Sequence, residues 1–113
     1  SSEWWTWVRL TYEAIGALVE AKNYADPIDE NQVIVTGKYL GRKRMGRFGI
    51  IVSRKGASSA GQKGQRDEWD DKANMILVLS DEDVLKMLEL KSEGKDPSLV
   101  LEARIRRFRF GVR

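Results

Sequence analysis

The sequence contains no cysteine and no histidine, and it has only two prolines. Without cysteine there is no disulfide framework and no thiolate nucleophile. Without histidine there is neither a Ser-His-Asp triad nor an imidazole base. Any acid–base chemistry therefore belongs to Asp, Glu, Lys or Tyr. A bound metal would have carboxylates, backbone carbonyls and water as ligands, a set that suits Mg²⁺ or Mn²⁺ and argues against Zn²⁺.

Long apolar runs are also missing. No stretch of the sequence is apolar enough to span a bilayer, and no signal-peptide pattern is present. These features predict a cytoplasmic protein with no membrane partner. A chain of 113 residues suffices for one domain with one core.

Charge is distributed unevenly along the chain. The formal net charge is +3, but the stretch from Asn31 to Arg66, called the basic segment below, contains nine basic residues and no Asp or Glu. The basic segment carries +9 and the rest of the chain −6. A block of one sign predicts a face that binds a polyanion, and the alternative is a solvated helix end and loop. We expect DNA phosphates to be contacted by Arg42, Lys43, Arg44, Arg47, Arg54 and Lys55.

Helical and strand patterns alternate along the sequence. The hydrophobic spacing predicts helices over 3–12, 30–42, 58–72, 80–94 and 97–108, and strands over 14–22, 48–52 and 75–79. Capping-box patterns mark two helix starts, Asp29 with Gln32 and Ser80 with Asp83. Short links between these elements predict an α/β domain with a single, mixed but mostly parallel sheet flanked by helices. Its core is expected at about 14–79, and the helices over 80–108 form a C-terminal cap.

A carboxylate and an ammonium lie two residues apart in the tripeptide Glu20-Ala21-Lys22. Alternate residues of a strand share a face, so Glu20 and Lys22 are predicted to stand together while Val19 and Ala21 enter the core. Such a pair could meet a metal ion and a phosphodiester. The alternative is an ordinary ion pair on a half-exposed strand.

The run from Leu18 to Tyr24 is followed by a predicted helix and then by the apolar strand 48–52, which leads into Ser53-Arg54-Lys55. These three successive features resemble restriction-endonuclease-like proteins. The resemblance is to the Mrr-like branch of this PD-(D/E)xK superfamily, and it implies a metal-dependent DNA endonuclease. Glu20 and the carbonyl of Ala21 would bind Mg²⁺ (or Mn²⁺), and Lys22 would orient the attacking water. Gln32 resembles a catalytic-site position of the family, and helix capping is its equally weighted alternative.

The family also has an acidic residue on the preceding strand, and this chain departs from that pattern. The only upstream carboxylates are Glu3 and Glu13. Glu13 would lie about 23 Å from Glu20 along an extended strand, and Glu3 about 10 Å away in another layer. We therefore expect an N-terminally truncated domain of a longer protein. Fusion to a larger multidomain protein and a homodimer are the expected assemblies. A catalytically silent DNA-binding or interaction module of the same fold is the alternative, and a small-molecule α/β enzyme is disfavoured because no glycine-rich phosphate loop follows a strand.

The first predicted helix contains a cluster of tryptophans, and the last contains a cluster of arginines. The spacing of Trp4 and Trp7 predicts core positions for both, which leaves Trp5 to face a partner. The basic residues of the last helix, Arg104, Arg106, Arg107 and Arg109, either extend the DNA surface or interact favourably with the helix end.

Overall fold

The computed structural model describes residues 2–14, 18–22, 25–41, 43 and 45–111. Within these residues the chain is an α/β domain in which three strands form one parallel sheet of order β1-β2-β3. The expected α/β class with a C-terminal helical cap is confirmed, and the described sheet is parallel throughout rather than mixed. In chain order the elements are α1 (Ser2–Tyr12), β1 (Leu18–Lys22), α2 (Glu30–Gly37), β2 (Phe48–Ser53), α3 (Ser59–Lys72), β3 (Met75–Leu79), α4 (Asp81–Ser92) and α5 (Ser98–Phe110).

Both predicted capping boxes are present. The Asp29 side chain accepts a hydrogen bond from the Gln32 amide at 3.2 Å, and the Gln32 side chain accepts one from the Asp29 amide at 2.7 Å. Ser80 and Asp83 exchange the equivalent bonds at the start of α4. Because these bonds satisfy amides that have no partner within the helix, they fix where each helix begins.

Several predicted boundaries differ from the observed ones. β1 begins at Leu18 rather than at 14, because Ala14 donates its amide to the carbonyl of Arg9 and closes the end of α1. Residues 15–17 lie outside the described part of the chain. α2 ends at Gly37 rather than at 42, since the next residues form tight i→i+3 bonds that lead into Gly41 at φ +148°. Pro97 precedes α5 instead of starting it.

The sheet separates two apolar clusters. On one face, α1 and α5 pack Val8, Tyr12 and Ile105 against strand residues that include Phe48. On the other face, α2 and α3 cover a cluster formed by Ile28, Val33, Leu40, Ile51, Ile76 and Val78. β2 lies between β1 and β3, so its side chains are buried on both faces as expected.

Close helix packing explains the glycines of α3. A side chain at Gly61 would meet the carbonyl oxygen of Ile28, and one at Gly64 would meet Val33. Glycine lowers the intrinsic helix propensity of this segment. In return it lets α3 approach α2 and the Ile28 segment more closely than a larger residue would allow.

Two predictions about burial were wrong. Val19 is 58% exposed and Ala21 is also exposed, because β1 is an edge strand and the helices of that face pack over β2 and β3. Among the tryptophans, Trp7 is 44% exposed, whereas Trp5 packs against the core with its ring 6.4 Å from that of Phe48. None of the described helices is long and apolar enough to cross a membrane.

Candidate functional site

Glu20 and Lys22 lie on the same face of β1, as their spacing predicted. In the parallel register Glu20 is opposite Ile51 and Lys22 is opposite Ser53. Ile51 belongs to the cluster covered by α2 and α3, so this pair faces that side of the sheet. The Lys22 Nζ atom is 3.2 Å from Glu20 Oε2, and the Thr36 hydroxyl of α2 donates to Glu20 Oε1 at 3.2 Å. The carboxylate is therefore held in place from two directions.

The described residues fit a Mg²⁺ ion poorly. They supply one carboxylate at this position, and each of its two oxygens is already engaged, by Lys22 and by Thr36. No group of three or more acidic, histidine or cysteine side chains suited to a metal ion occurs among the described residues. A cation bound by Glu20 and the carbonyl of Ala21 would have to displace one of the present partners of the carboxylate.

The upstream carboxylates lie away from Glu20, in agreement with the sequence-based expectation. Glu3 is on α1, which packs on the opposite face of the sheet from Glu20. Glu13 follows α1 with φ 54° and forms an ion pair with Arg47 at 2.9 Å, at the amino end of β2. Along the strand this end is about 13 Å from the level of Glu20, since Ile51, which is opposite Glu20, comes four positions after Arg47.

Gln32 has the structural role that the sequence offered as its alternative. Its side-chain oxygen accepts a hydrogen bond from the backbone amide of Asp29 in the capping box of α2. The resemblance to a family position therefore rests on sequence alone for this residue.

Ser53 was not singled out as a site residue from the sequence. Its side chain is almost fully buried, and its hydroxyl has no hydrogen-bond partner among the described residues. It ends β2 opposite Lys22, at the carboxyl edge of the parallel sheet, where α/β proteins commonly bind ligands. The signal in the sequence was a polar residue at the end of an otherwise apolar strand.

The residues expected to contact DNA fall into two groups. Arg47 immediately precedes β2, and Lys43 lies before it in the turn closed by the Gly41–Gly46 bridge. Arg54 and Lys55 follow the carboxyl end of β2. Arg42 and Arg44 are outside the described residues. β2 has six residues and spans about 20 Å, so these side chains form two separate patches rather than one.

Ion pairing distinguishes the described members of these patches. Arg47 pairs with Glu13 at 2.9 Å, and Arg54 pairs with Asp81 at 3.3 Å. Lys43 and Lys55 are exposed, and neither has a carboxylate partner in the described part of the chain. Each patch therefore has one paired cation and one cation that is available to an external anion.

Comparison of the chain with known family models, with curated proteins and with solved structures found no match. The resemblance to restriction-endonuclease-like proteins accordingly stays a prediction based on the residues that carry it.

Proposed function

We propose that this α/β domain binds DNA through exposed basic side chains at the two ends of β2. The supporting observation concerns the seven described cations of the basic segment. Three of them, Arg47, Arg54 and Lys63, form ion pairs with carboxylates. The other four have no carboxylate partner among the described residues, and they are Lys38, Lys43, Lys55 and Arg66.

The spacing of the two patches suits a polyanion better than a single small anion. A duplex advances about 3.4 Å for each base pair, so patches about 20 Å apart match phosphates about six base pairs apart. Contacts of this kind position a protein on the backbone and carry little sequence information. The expected binding is therefore strongly salt-dependent and weakly sequence-dependent.

Charge reversal tests this proposal. The variant combines Lys43→Glu with Lys55→Glu, one residue from each patch. The control combines Lys86→Glu with Lys91→Glu on α4, which changes the net charge equally on exposed residues outside the patches. We expect the first variant to bind duplex DNA more weakly and its log–log salt slope to fall by about 1.8, since each neutralised phosphate contributes about 0.9. Equal weakening in the control would show that binding reflects net charge alone.

A second candidate function is metal-dependent phosphodiester hydrolysis. The observation that favours it is that Glu20 and Lys22 lie on one face of β1. Lys22 is opposite Ser53, the last residue of β2, and Arg54 and Lys55 follow Ser53 in the sequence. Lys22 would there place a positive charge near a bound phosphodiester. Because the described residues fit Mg²⁺ poorly, hydrolysis needs a further carboxylate in addition to Glu20. DNA binding without cleavage therefore remains the better-supported function.

A further inference from the structure

A cavity of about 640 Å³ lies along the outer edge of β3, between α3 and α5. This edge is opposite to the one formed by β1, so the cavity is separate from the Glu20–Lys22 pair. No carboxylate is among the described residues that line it. The charged and amide side chains of its lining are Lys55, Gln62, Gln65, Arg66, Arg104 and Arg107.

β3 forms one wall of the cavity, and side chains donate hydrogen bonds to its outward-pointing carbonyls. In the described part of the chain no strand pairs with the outer side of β3, so carbonyls that point outward need other partners. Gln65 donates to the carbonyl of Ile76 at 2.7 Å, and Arg104 donates to that of Val78 at 3.1 Å. These bonds hold the β3 wall of the cavity in place.

Most of the positive charge around the cavity is not neutralised. Arg104 is paired with Asp83 at 3.2 Å. Arg66 donates to the carbonyl of Phe108 at 2.9 Å and lies over its ring at 4.1 Å, and both partners are neutral groups. Lys55 and Arg107 are exposed and have no carboxylate partner in the described chain. Three cations are thus left to attract an anion.

We propose that this cavity binds a small molecule of nucleotide size through a phosphate or diphosphate group. Its volume lies within the range of about 300–1,000 Å³ that is typical of small-molecule sites. Guanidinium groups such as those of Arg66 and Arg107 match phosphate oxygens with paired donors. The recess between two helices suits a compact ligand, whereas the DNA-binding patches are open surface. Lys55 belongs both to this site and to the DNA-binding patch that follows β2, whereas Arg66 and Arg107 lie outside the two patches, so the proposal does not depend on DNA binding.

Calorimetric titration of the full chain tests the proposal with three probes: ADP, pyrophosphate and adenosine. ADP and pyrophosphate are expected to bind saturably, and adenosine is not, since the phosphate groups supply the charge that the cavity recognises. Arg107→Gln should weaken ADP binding at least about tenfold, and Lys55→Gln should weaken it in the same direction. Both residues are exposed, so neither variant should alter the folded state, which circular dichroism can verify.

Arg106→Gln is the matched control. Arg106 precedes Arg107 on α5, loses the same charge, and does not line the cavity. Its effect on ADP affinity should be less than about twofold. Equal weakening by Arg106→Gln and Arg107→Gln would overturn the proposal, as would the absence of saturable binding of both ADP and pyrophosphate. Loss of duplex DNA binding in Arg107→Gln that matches its loss of ADP binding would also overturn it, because the cavity would then be part of the DNA-binding surface.

Discussion

The carboxylate of Glu68 on α3 occupies the space in which any side chain at Gly37 on α2 would lie. Glu68 is buried, and its carboxylate oxygens accept hydrogen bonds from the side-chain amide of Asn74 at 3.0 Å and from Lys72 at 3.3 Å. A carboxylate buried in this way needs such partners. The contact fixes how closely the end of α2 approaches α3.

Gly37→Ala should therefore destabilise the domain. Alanine would gain up to about 1 kcal/mol of helix propensity, but its Cβ would collide with the Glu68 carboxylate, and overpacking of this kind costs about 1–3 kcal/mol. Urea unfolding measures the difference. In the double variant with Glu68→Ala the obstacle is gone, so the two effects should be far from additive. Additive free energies would contradict the contact.

Val19→Asp should be tolerated, in contrast to what the sequence suggested. The Val19 side chain is 58% exposed on the edge strand, so a carboxylate there keeps its hydration. The expected cost is below about 1 kcal/mol. The matched control is Ile50→Asp, in the register position next to Val19 on β2, where the side chain is 8% exposed and an unpaired charge should unfold the domain. Circular dichroism of the two variants distinguishes them, and an unfolded Val19→Asp would show that β1 is covered in solution.

The 113-residue chain is expected not to cleave DNA in Mg²⁺ or Mn²⁺. The reason is that Glu20 is the one described carboxylate at the site and its oxygens are engaged by Lys22 and Thr36. Incubation with supercoiled plasmid, followed by electrophoresis, measures nicking. Calorimetry with Mg²⁺ should show only weak binding. Cleavage that disappears in Glu20→Gln would contradict this prediction and establish the second candidate function.

Acid should weaken the start of α5 in a defined pH range. The Ser98 amide donates to Asp96 at 2.9 Å, and this bond contributes to lowering the pKa of the Asp96 carboxyl from 3.8 to about 2. A lowered pKa means that the contribution of Asp96 to stability is fully present above pH 3.8 and is lost as the pH falls towards 2. Asp96→Asn should therefore flatten the stability profile between these values. Urea unfolding at several pH values tests this, and parallel profiles for the two proteins would refute it.

The helices, the central strand and β3 were predictable from the sequence because their signals are local. Capping boxes at Asp29 and Ser80 act within four residues, and the apolar run 75–79 is long enough to identify β3 without knowledge of its neighbours. The shared face of Glu20 and Lys22 follows from strand geometry alone.

The burial of β1 was not predictable in the same way. Val19 and Ile51 are similar side chains in similar apolar runs, yet one is exposed and the other is fully buried. Their difference depends on which strand lies at the edge of the sheet and on where the helices pack, and neither feature is encoded in the spacing of one strand. For the same reason the sequence did not predict that Trp5 packs on Phe48 while Trp7 is exposed.

The sequence by itself determined the type and order of the elements, the helix starts and the excess of positive charge between Asn31 and Arg66, because each depends on residues close together in the chain. Tertiary structure decided which of these cations are paired with carboxylates and which lie close together. It paired Arg47 and Arg54 each with a carboxylate, and it brought Lys55 and Arg66 to the same cavity as Arg107 from α5. Such distances between residues far apart in the chain depend on strand order and helix packing, and those are set by the burial of apolar surface over the whole domain.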